Sequence, residues 1–406
     1  MSPRGAPPQL VVISTHPIQY HAPVYREVQR LGLPLTAIYG SDFSVAGYHD
    51  REFDTTFSWS TDLLSGYTSI FLSRVSEGGA SSPAATSTRG LAEALAQVSP
   101  DAVLLTGYWP AFLRQSAMQL TLRRVPTLFR AETADHAKRR GWIRDSARSA
   151  VLRLFYERCA ALLYIGKRSR DHFERLGASE RELFFSPYCV DATVFESDER
   201  ARARLRESTR MELGIRSDQI AILFSGKLVF RKGPDLLLDA IEQLPAELRE
   251  RIAVVFLGDG EMRAALAARS SVAKLSFVGF RNQHELSRYY HACDLLVLPS
   301  RSGETWGLVV NEALLHGLPC VVSEGVGCAP DLVLPGETGE VFAQDSAAGL
   351  RDSLVRLLAW NRDGLATRVR CRERVNRYSV GAAAKGIVAA FESGLGRSAS
   401  PLTLHP

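Results

Sequence analysis

Glu304 and Glu312 stand eight positions apart in the stretch 299–317, PSRSGETWGLVVNEALLHG. The first closes a polar loop behind an apolar, strand-like run. The second lies early in an apparent helix, with the turn Trp306-Gly307 between them. Carboxylates accept hydrogen bonds from vicinal hydroxyls, and the unpaired N–H groups of a helix start can receive a diphosphate. These residue types therefore suit a bound sugar nucleotide. A second constellation is 224–235, FSGKLVFRKGPD. A strand is expected to end at Ser225-Gly226, and Lys227 follows it. Arg231-Lys232-Gly233 then lead into a helix that opens at Pro234, a residue suited to a first helical turn. Two lysines there would stabilise the negative charge that develops as a nucleoside diphosphate departs. Each residue also has a plainer reading. Surface lysines are commonly just solvated, Glu304 could be a loop carboxylate, and Glu312 an exposed first-turn residue that favours the helix dipole. Val310, Ala313, Leu314 and Gly317 share the expected buried face of that helix, and Glu312 falls off it. Against the plainer reading, Glu304 belongs to a Gly-Glu-Thr-Trp-Gly turn rather than to a helix, and the lysine cluster closes another strand of the same sheet.

The elements that must position these residues read as short apolar runs alternating with helical segments. Strands are predicted at QLVVIS (from Gln9), LTAIYG (from Leu35), AVLLTG (from Ala102), PTLFRA (from Pro126), ALLYIG (from Ala161) and ELFFSP (from Glu182). A second set follows at IAILFSG (from Ile220), IAVVFLG (from Ile252), LSFVGF (from Leu275), DLLVLPS (from Asp294), PCVVSE (from Pro319) and GEVFA (from Gly339). Unbroken apolar strands separated by helices indicate parallel sheets covered on both faces. Twelve are too many for one ordinary domain, so two doubly wound sheets in tandem are expected, facing across a cleft. The break falls in the charged stretch 191–219, which has no strand signal. The expected division is 1–195, 196–378, a helix over 379–395 that packs back on the first domain, and a disordered tail over 396–406. The small-residue stretch 77–90, EGGASSPAATSTRG, is expected as a mobile loop at the cleft rim.

Composition sets outer bounds. The 406 residues are 46% hydrophobic and 23% charged, with a net charge of +5, which describes a globular chain with a mild basic excess. The six cysteines form no C-x-x-C or mixed Cys/His cluster, so no zinc site is expected, and they read as reduced core thiols of a cytoplasmic protein. The opening apolar run ends at Ser14, too short for a signal peptide, and no run approaches the eighteen apolar residues of a membrane span. The stretch 138–153 carries Lys138, Arg139, Arg140, Arg144, Arg148 and Arg153 interleaved with Trp142, Ile143, Val151 and Leu152. It reads either as a solvated helix flank or as a peripheral contact with anionic lipid at the inner face of a membrane. No recognition motif accompanies the charge, so nucleic acid is not expected as a partner.

SGETWGLVVNEALLHGLPCVVSE, followed by GETGEVF, resembles the donor domain of the retaining GT-B glycosyltransferases of family four (glycosyl transferases group 1). The family pattern has two glutamates separated by seven residues and a helix ending in Gly-x-Pro, which Glu304, Glu312, Gly317 and Pro319 fit. Lys227 and Lys232-Gly233 are similar to its diphosphate clamp, with Lys227 in place of the usual arginine. FLGDGEMR (from Phe256), FVGFRNQHELSRYYHACDLLVLPS (from Phe277), YIGKRSRDHFERLG (from Tyr164) and SPYCVDATVF (from Ser186) match further motifs in the family's order. The likeness extends over about residues 156–360. It implies a GT-B fold of two Rossmann-like domains and transfer from a nucleoside-diphosphate sugar to a hydroxylated acceptor, with retention and without metal or cofactor. The implied donor site comprises Gly226, Lys227, Lys232, Glu304, Trp306, Gly307, Leu308 and Glu312. Glu312 would accept from the ribose, and Glu304 would face the sugar hydroxyls. Backbone N–H groups of Trp306, Gly307 and Leu308 would meet sugar and phosphate, and the two lysines would neutralise the leaving group.

The first half departs from that pattern. In place of the usual Gly-Gly pair it carries STHPIQYHAPVYREV (from Ser14), which resembles a subgroup with a His-Pro-x-Gln-Tyr signature. His16, Gln19, Tyr20 and His21 would then sit in a cleft-facing loop that touches donor phosphate or acceptor. The alternative is that His16-Pro17 merely shapes that loop. Many relatives place a histidine near the anomeric carbon. Here the region is FRAETADHAKRR (from Phe129), where Glu132 or Arg130 holds the strand end and His136 follows a turn later. Glu132 is the favoured replacement and counts with Glu304, Lys227 and Lys232 among the catalytic candidates. Two other enzyme classes share such a fold. A phosphorylase that uses pyridoxal phosphate would be much longer, and an epimerase would carry a different donor loop. A sugar-nucleotide-binding or assembly subunit with little or no turnover is the non-enzymatic alternative.

Overall fold

The structure is a computed structural model and describes residues 7–50, 55–57, 62–133, 135, 142–269, 272–361 and 364–396, with the backbone alone at 48–50, 55–57 and 142–144. The first sheet has seven strands: β1 Leu10–Ser14, β2 Leu35–Tyr39, β3 Thr68–Phe71, β4 Ala102–Leu105, β5 Thr127–Arg130, β6 Ala161–Tyr164 and β7 Leu183–Phe185. Their order is β3-β2-β1-β4-β5-β6-β7, and every pairing is parallel. The second sheet has six: β8 Ile220–Ser225, β9 Ile252–Leu257, β10 Lys274–Gly279, β11 Leu295–Leu298, β12 Cys320–Ser323 and β13 Gly339–Phe342. It repeats the topology as β10-β9-β8-β11-β12-β13, again parallel. The strand order reverses beside β1 in one sheet and beside β8 in the other. At such points the loops leaving the carboxyl ends diverge and open a crevice.

The apolar runs are explained by double coverage. In β1, Leu10 and Val12 belong to one core and Val11 and Ile13 to another, and all four are fully buried. In β8, Ala221 and Leu223 face one side, Ile222 and Phe224 the other. Successive side chains alternate faces, so a strand covered on both sides needs apolar residues at every position. Helix α1 (Ala22–Arg30) covers one face of the first sheet. Helices α2 (Leu91–Val98), α3 (Ala111–Leu122), α4 (Trp142–Tyr156) and α5 (Lys167–Arg175) cover the other. The charged stretch 191–219 contains α6 (Glu199–Glu212), capped by the Asp198 side chain accepting from Ala201 N at 2.7 Å. Its charge is not simply solvated: Arg206 and Arg210 reach Asp294 at 2.6 and 3.3 Å and tie the helix to the second sheet. That sheet is covered by α7 (Pro234–Glu242) on one face and by α8 (Gln283–Ala292) and α9 (Leu308–Leu315) on the other. The last helix described, α10 (Val380–Gly394), crosses back to α1, and Ser186 Oγ donates to Ala383 O at 2.9 Å.

All twelve expected strands are present. The sequence pattern missed β3 and an antiparallel hairpin, Tyr48–Asp50 with Thr55–Phe57. Thr68–Phe71 is a sheet edge with exposed or half-exposed residues, so two polar residues precede two apolar ones in TSIF and no apolar run of strand length forms. The stretch 77–90 begins at the end of the 3-10 turn Val75–Glu77 and contains a second, Pro83–Ala85, with Thr86 buried against Gly40. All six cysteines are buried free thiols. The tail after Gly396 and residues 136–141, including His136, lie outside the described residues.

Candidate functional site

The lysine cluster is built by the loop leaving β8. Gly226 N donates to Leu257 O at 2.9 Å, which ends the strand beside β9. The 3-10 turn Phe230–Lys232 is followed by Gly233 at φ +70°. A Cβ on Gly233 would stand 2.4 Å from Pro299 O, so only glycine lets this turn lie against the loop that leads to Glu304. Helix α7 then opens at Pro234. A cavity of about 320 Å³ sits over this loop. It is lined by Ser225, Gly226, Lys227, Arg231 and Lys232 from one side and Glu304, Thr305, Trp306, Gly307, Leu308 and Val309 from another. Glu132 and Tyr188 of the first half close it, so the cavity lies between the two halves.

Lys232 Nζ donates to Glu304 Oε2, and Ser300 Oγ donates to the same oxygen at 3.0 Å. The two charged side chains are mostly buried, with 16% and 12% of their surfaces exposed, so the pair is little screened by solvent. Trp306 is fixed by its indole N–H, which donates to Asn311 Oδ1 at 2.9 Å, and Asn311 Nδ2 donates to Tyr188 O at 3.3 Å. Gly307 at φ +99° caps α9, and the first bond of that helix runs from Val310 N to Gly307 O. The N–H groups of Gly307, Leu308 and Val309 precede that bond and border the cavity, where an anion would meet them.

Glu312 departs from the plainer reading of the sequence. It lies beyond the first turn of α9, and it is buried rather than exposed, at 3%. The helix is covered on more than one side: the helix Gly364–Asn376 packs against it, and Tyr20 of the first half joins the same core. Tyr290 OH, from α8, donates to Glu312 Oε2 at 2.6 Å and stands 3.5 Å from Ser225 Oγ, so Glu312 lies behind the cavity lining. Burial pushes its carboxyl up to about 7, and the Tyr290 hydrogen bond opposes the shift.

In the first half, Glu132 follows β5, lines the cavity and accepts from Thr305 Oγ1. Arg130 does not share that role: its guanidinium donates to Ser186 O at 3.0 Å and Pro187 O at 2.7 Å and lies over the Tyr188 ring. The four signature residues sit between β1 and α1, and none lines the cavity. His16 Nδ1 is 2.8 Å from Thr15 Oγ1 with its ring against Phe43, and burial lowers it to about 4. His21 is lowered to about 3 by burial, Arg130 and His16. Gln19 is buried, and Tyr20 packs against the second half's core, its hydroxyl driven up by burial and by the charge of Glu312. Ser225, Arg231 and Thr305 fall inside the two motifs read from the sequence, whereas nothing in the pattern singled out Tyr188 and Val309 as lining residues or Tyr290 behind them. Tyr188 and Tyr290 were visible only as members of longer motifs.

Residues 206–377 match the family model described as Glycosyl transferases group 1. A D-inositol 3-phosphate glycosyltransferase of Xylanimonas cellulosilytica is 31% identical over 202 residues, covering 48% of this chain and 47% of that protein. The chain thus aligns with about half the length of this curated relative. Among solved structures, a glycosyltransferase from Rickettsia africae superposes with a TM-score of 0.69 at 14% identity, over 96% of this chain and 100% of that one. Anabaena HepE, in complex with UDP and glucose, gives 0.65 at 16% identity, over 95% and 99%. At such identity the likeness is one of fold, and the two tandem parallel-sheet domains form the GT-B arrangement.

Proposed function

We propose that this protein is a glycosyltransferase that moves a sugar from a nucleoside-diphosphate donor to a hydroxyl acceptor, with retention and without a metal cofactor. The observation that carries the reading is the cavity itself. It joins a paired Lys232–Glu304, a second lysine, a helix start and a carboxylate of the opposite half in one interdomain crevice, with Glu312 beneath. In this reading Lys227, Lys232 and the α9 N–H groups hold the diphosphate and stabilise its charge as the glycosidic bond breaks. Glu304 meets the sugar hydroxyls and Glu312 the ribose. The donor's own phosphate oxygen takes the acceptor proton on the same face, so the protein contributes position and electrostatics more than a base. Glu132 borders the acceptor side. UDP is the first nucleotide to try, since HepE holds it, and D-inositol 3-phosphate is the first acceptor, since the curated relatives carry it in their name.

The test is turnover of UDP-sugars by wild type and by Glu304→Ala and Lys232→Ala. Each variant is expected to lose on the order of 10²–10³ in kcat while keeping its circular dichroism. Full activity in either would remove this mechanism. Donor hydrolysis with no transfer to any acceptor would favour the binding-subunit alternative.

A specific observation supports membrane presentation of the acceptor. No described helix is long and apolar enough to cross a bilayer. Helices α3 and α4, which cover the same face of the first sheet, nevertheless expose Met118 and Leu122, and Val151 and Leu154, and Arg114, Arg123 and Arg153 are exposed on or next to the same helices. We read this apolar and basic face, rather than 138–141, which lie outside the described residues, as a seat for anionic lipid. Co-sedimentation with phosphatidylglycerol vesicles should exceed that with phosphatidylcholine and should fall in Leu122→Glu/Val151→Glu. Equal sedimentation with both lipids would refute it.

A further inference from the structure

The buried surroundings of Glu312 contain a group that the mechanism above does not use. Tyr290 is fully buried, and its hydroxyl is the one hydrogen-bond donor to the Glu312 carboxyl among the described residues. The ring is itself immobilised. His316 stacks on it with centroids 4.8 Å apart and 12° between planes. His316 Nδ1 is 2.7 Å from Glu312 O, so that nitrogen carries the proton, and Nε2 accepts from Ser287 Oγ at 2.9 Å. Ser287 Oγ in turn accepts from Glu196 N at 3.0 Å, which fixes this layer to the segment that joins the two sheets.

Among the described residues, the titratable groups around the Glu312 carboxyl are Tyr290 from α8, Tyr20 from the first-half loop, and His316 at the end of α9, with His291 packed behind His316. Burial drives both tyrosines far above their ordinary value and lowers His316 to about 3 and His291 to about 4, so all four are neutral near neutrality. Among the described residues no cation pairs with this carboxylate. A carboxylate has two oxygens, and Tyr290 occupies Oε2 alone.

We propose that Tyr290 is the positioning residue of the nucleoside subsite: its hydroxyl holds Glu312 by Oε2 and presents Oε1 to the vicinal hydroxyls of the ligand's ribose. The inference rests on the donor-site reading above. It assigns the selectivity for a ribose diol to the Tyr290–Glu312 pair, as distinct from the diphosphate affinity supplied by Lys227 and Lys232.

Calorimetric titration separates these. The probes are UDP, its 2′,3′-dideoxy analogue and inorganic pyrophosphate, with wild type and Tyr290→Phe, between pH 6 and 9. UDP is expected to bind the variant about ten-fold more weakly at pH 7, as for loss of a hydrogen bond to a charged group. The deficit should shrink toward pH 9, because a carboxyl without its donor ionises at higher pH. Pyrophosphate and the dideoxy analogue should bind both proteins alike. Equal UDP affinity in both proteins at every pH would overturn the inference and leave the donor site standing. An equal loss for all three probes at every pH would also overturn it, since that is a packing defect. Failure of wild type to bind UDP or GDP would overturn the donor-site reading and this inference together. If Tyr290→Phe does not fold, Tyr290→3-fluorotyrosine, a stronger donor, should move the UDP profile to lower pH, and an unmoved profile would refute the role.

Discussion

Glu312 places a cost on the folded protein that its proposed role explains. Its carboxyl ionises near pH 4.5 in an unfolded chain and near 7 in the fold. The native state is therefore penalised progressively as pH rises from about 4.5 through 7, and fully above that. The shift corresponds to roughly 3 kcal/mol. Glu312→Gln keeps an acceptor for Tyr290 and removes the charge. It should be more stable than wild type by about 2–3 kcal/mol at pH 8 in urea denaturation, with little difference at pH 4, while UDP affinity falls. A variant no more stable at pH 8 would show that the carboxylate is compensated. The buried histidines act with the opposite sign. His16, His21, His291 and His316 are held at about 3 to 4, below their ordinary 6.5, so their neutral forms favour the fold above pH 6.5 and that support is lost as pH falls. Thermal stability should decline from neutrality toward pH 5 more steeply in Glu312→Gln, which lacks the offsetting carboxyl, than in wild type.

Elements position the site through turns that fix the ends of helices. Gly307 caps α9 at φ +99°, and a Cβ there would stand 3.0 Å from Val326 Cγ1 and 3.1 Å from Leu298 Cδ2. Gly307→Ala therefore combines a left-handed backbone with a crowded core. It should cost about 1–3 kcal/mol in chemical denaturation and weaken UDP binding by displacing the Glu304–Trp306 turn. Unchanged stability would mean that the cap relaxes without strain. The same logic explains how α6, read only as a charged break, becomes ordered: Asp198 caps its start, and Asp294 on the second domain collects Arg206 and Arg210.

At the scale of the molecule, the two halves interlock beside the cavity. Asp331 Oδ1 accepts from Lys167 N, at the start of α5, at 2.8 Å and from Tyr378 OH at 2.9 Å. Gly166 lets Trp306 approach this contact, since a Cβ on it would stand 2.4 Å from Trp306 Cζ3 and 2.9 Å from Asp331 Oδ2. Gly166 has extended backbone, so alanine there is excluded by contact alone. Gly166→Ala should open the crevice, raising the radius of gyration in X-ray scattering and weakening UDP binding several-fold while each half stays folded. Unaltered scattering and affinity would show that Trp306 yields without moving the domains.

The strands, and the chemistry at their ends, are legible in the amino-acid order alone. Double coverage leaves an unbroken apolar run wherever a strand crosses a core, and a strand end followed by Gly-Lys or Gly-Glu-Thr-Trp-Gly is local. The cavity accordingly gathers Gly226, Lys227, Lys232, Glu304, Trp306, Gly307, Leu308 and Glu132, all legible beforehand. The rest depends on how the folded layers meet. Glu312 sits off the apolar face of α9 in the sequence pattern, yet the layers around it bury it, and the tyrosine that holds it is 22 residues away. Lys232 and Glu304 pair across 72 residues, and Arg130 is committed to carbonyls 56 and 57 residues on, leaving Glu132 for the cavity. Periodicity reports how one element meets one core. Burial by a second domain, and partners that adjoin only after folding, leave no periodic trace.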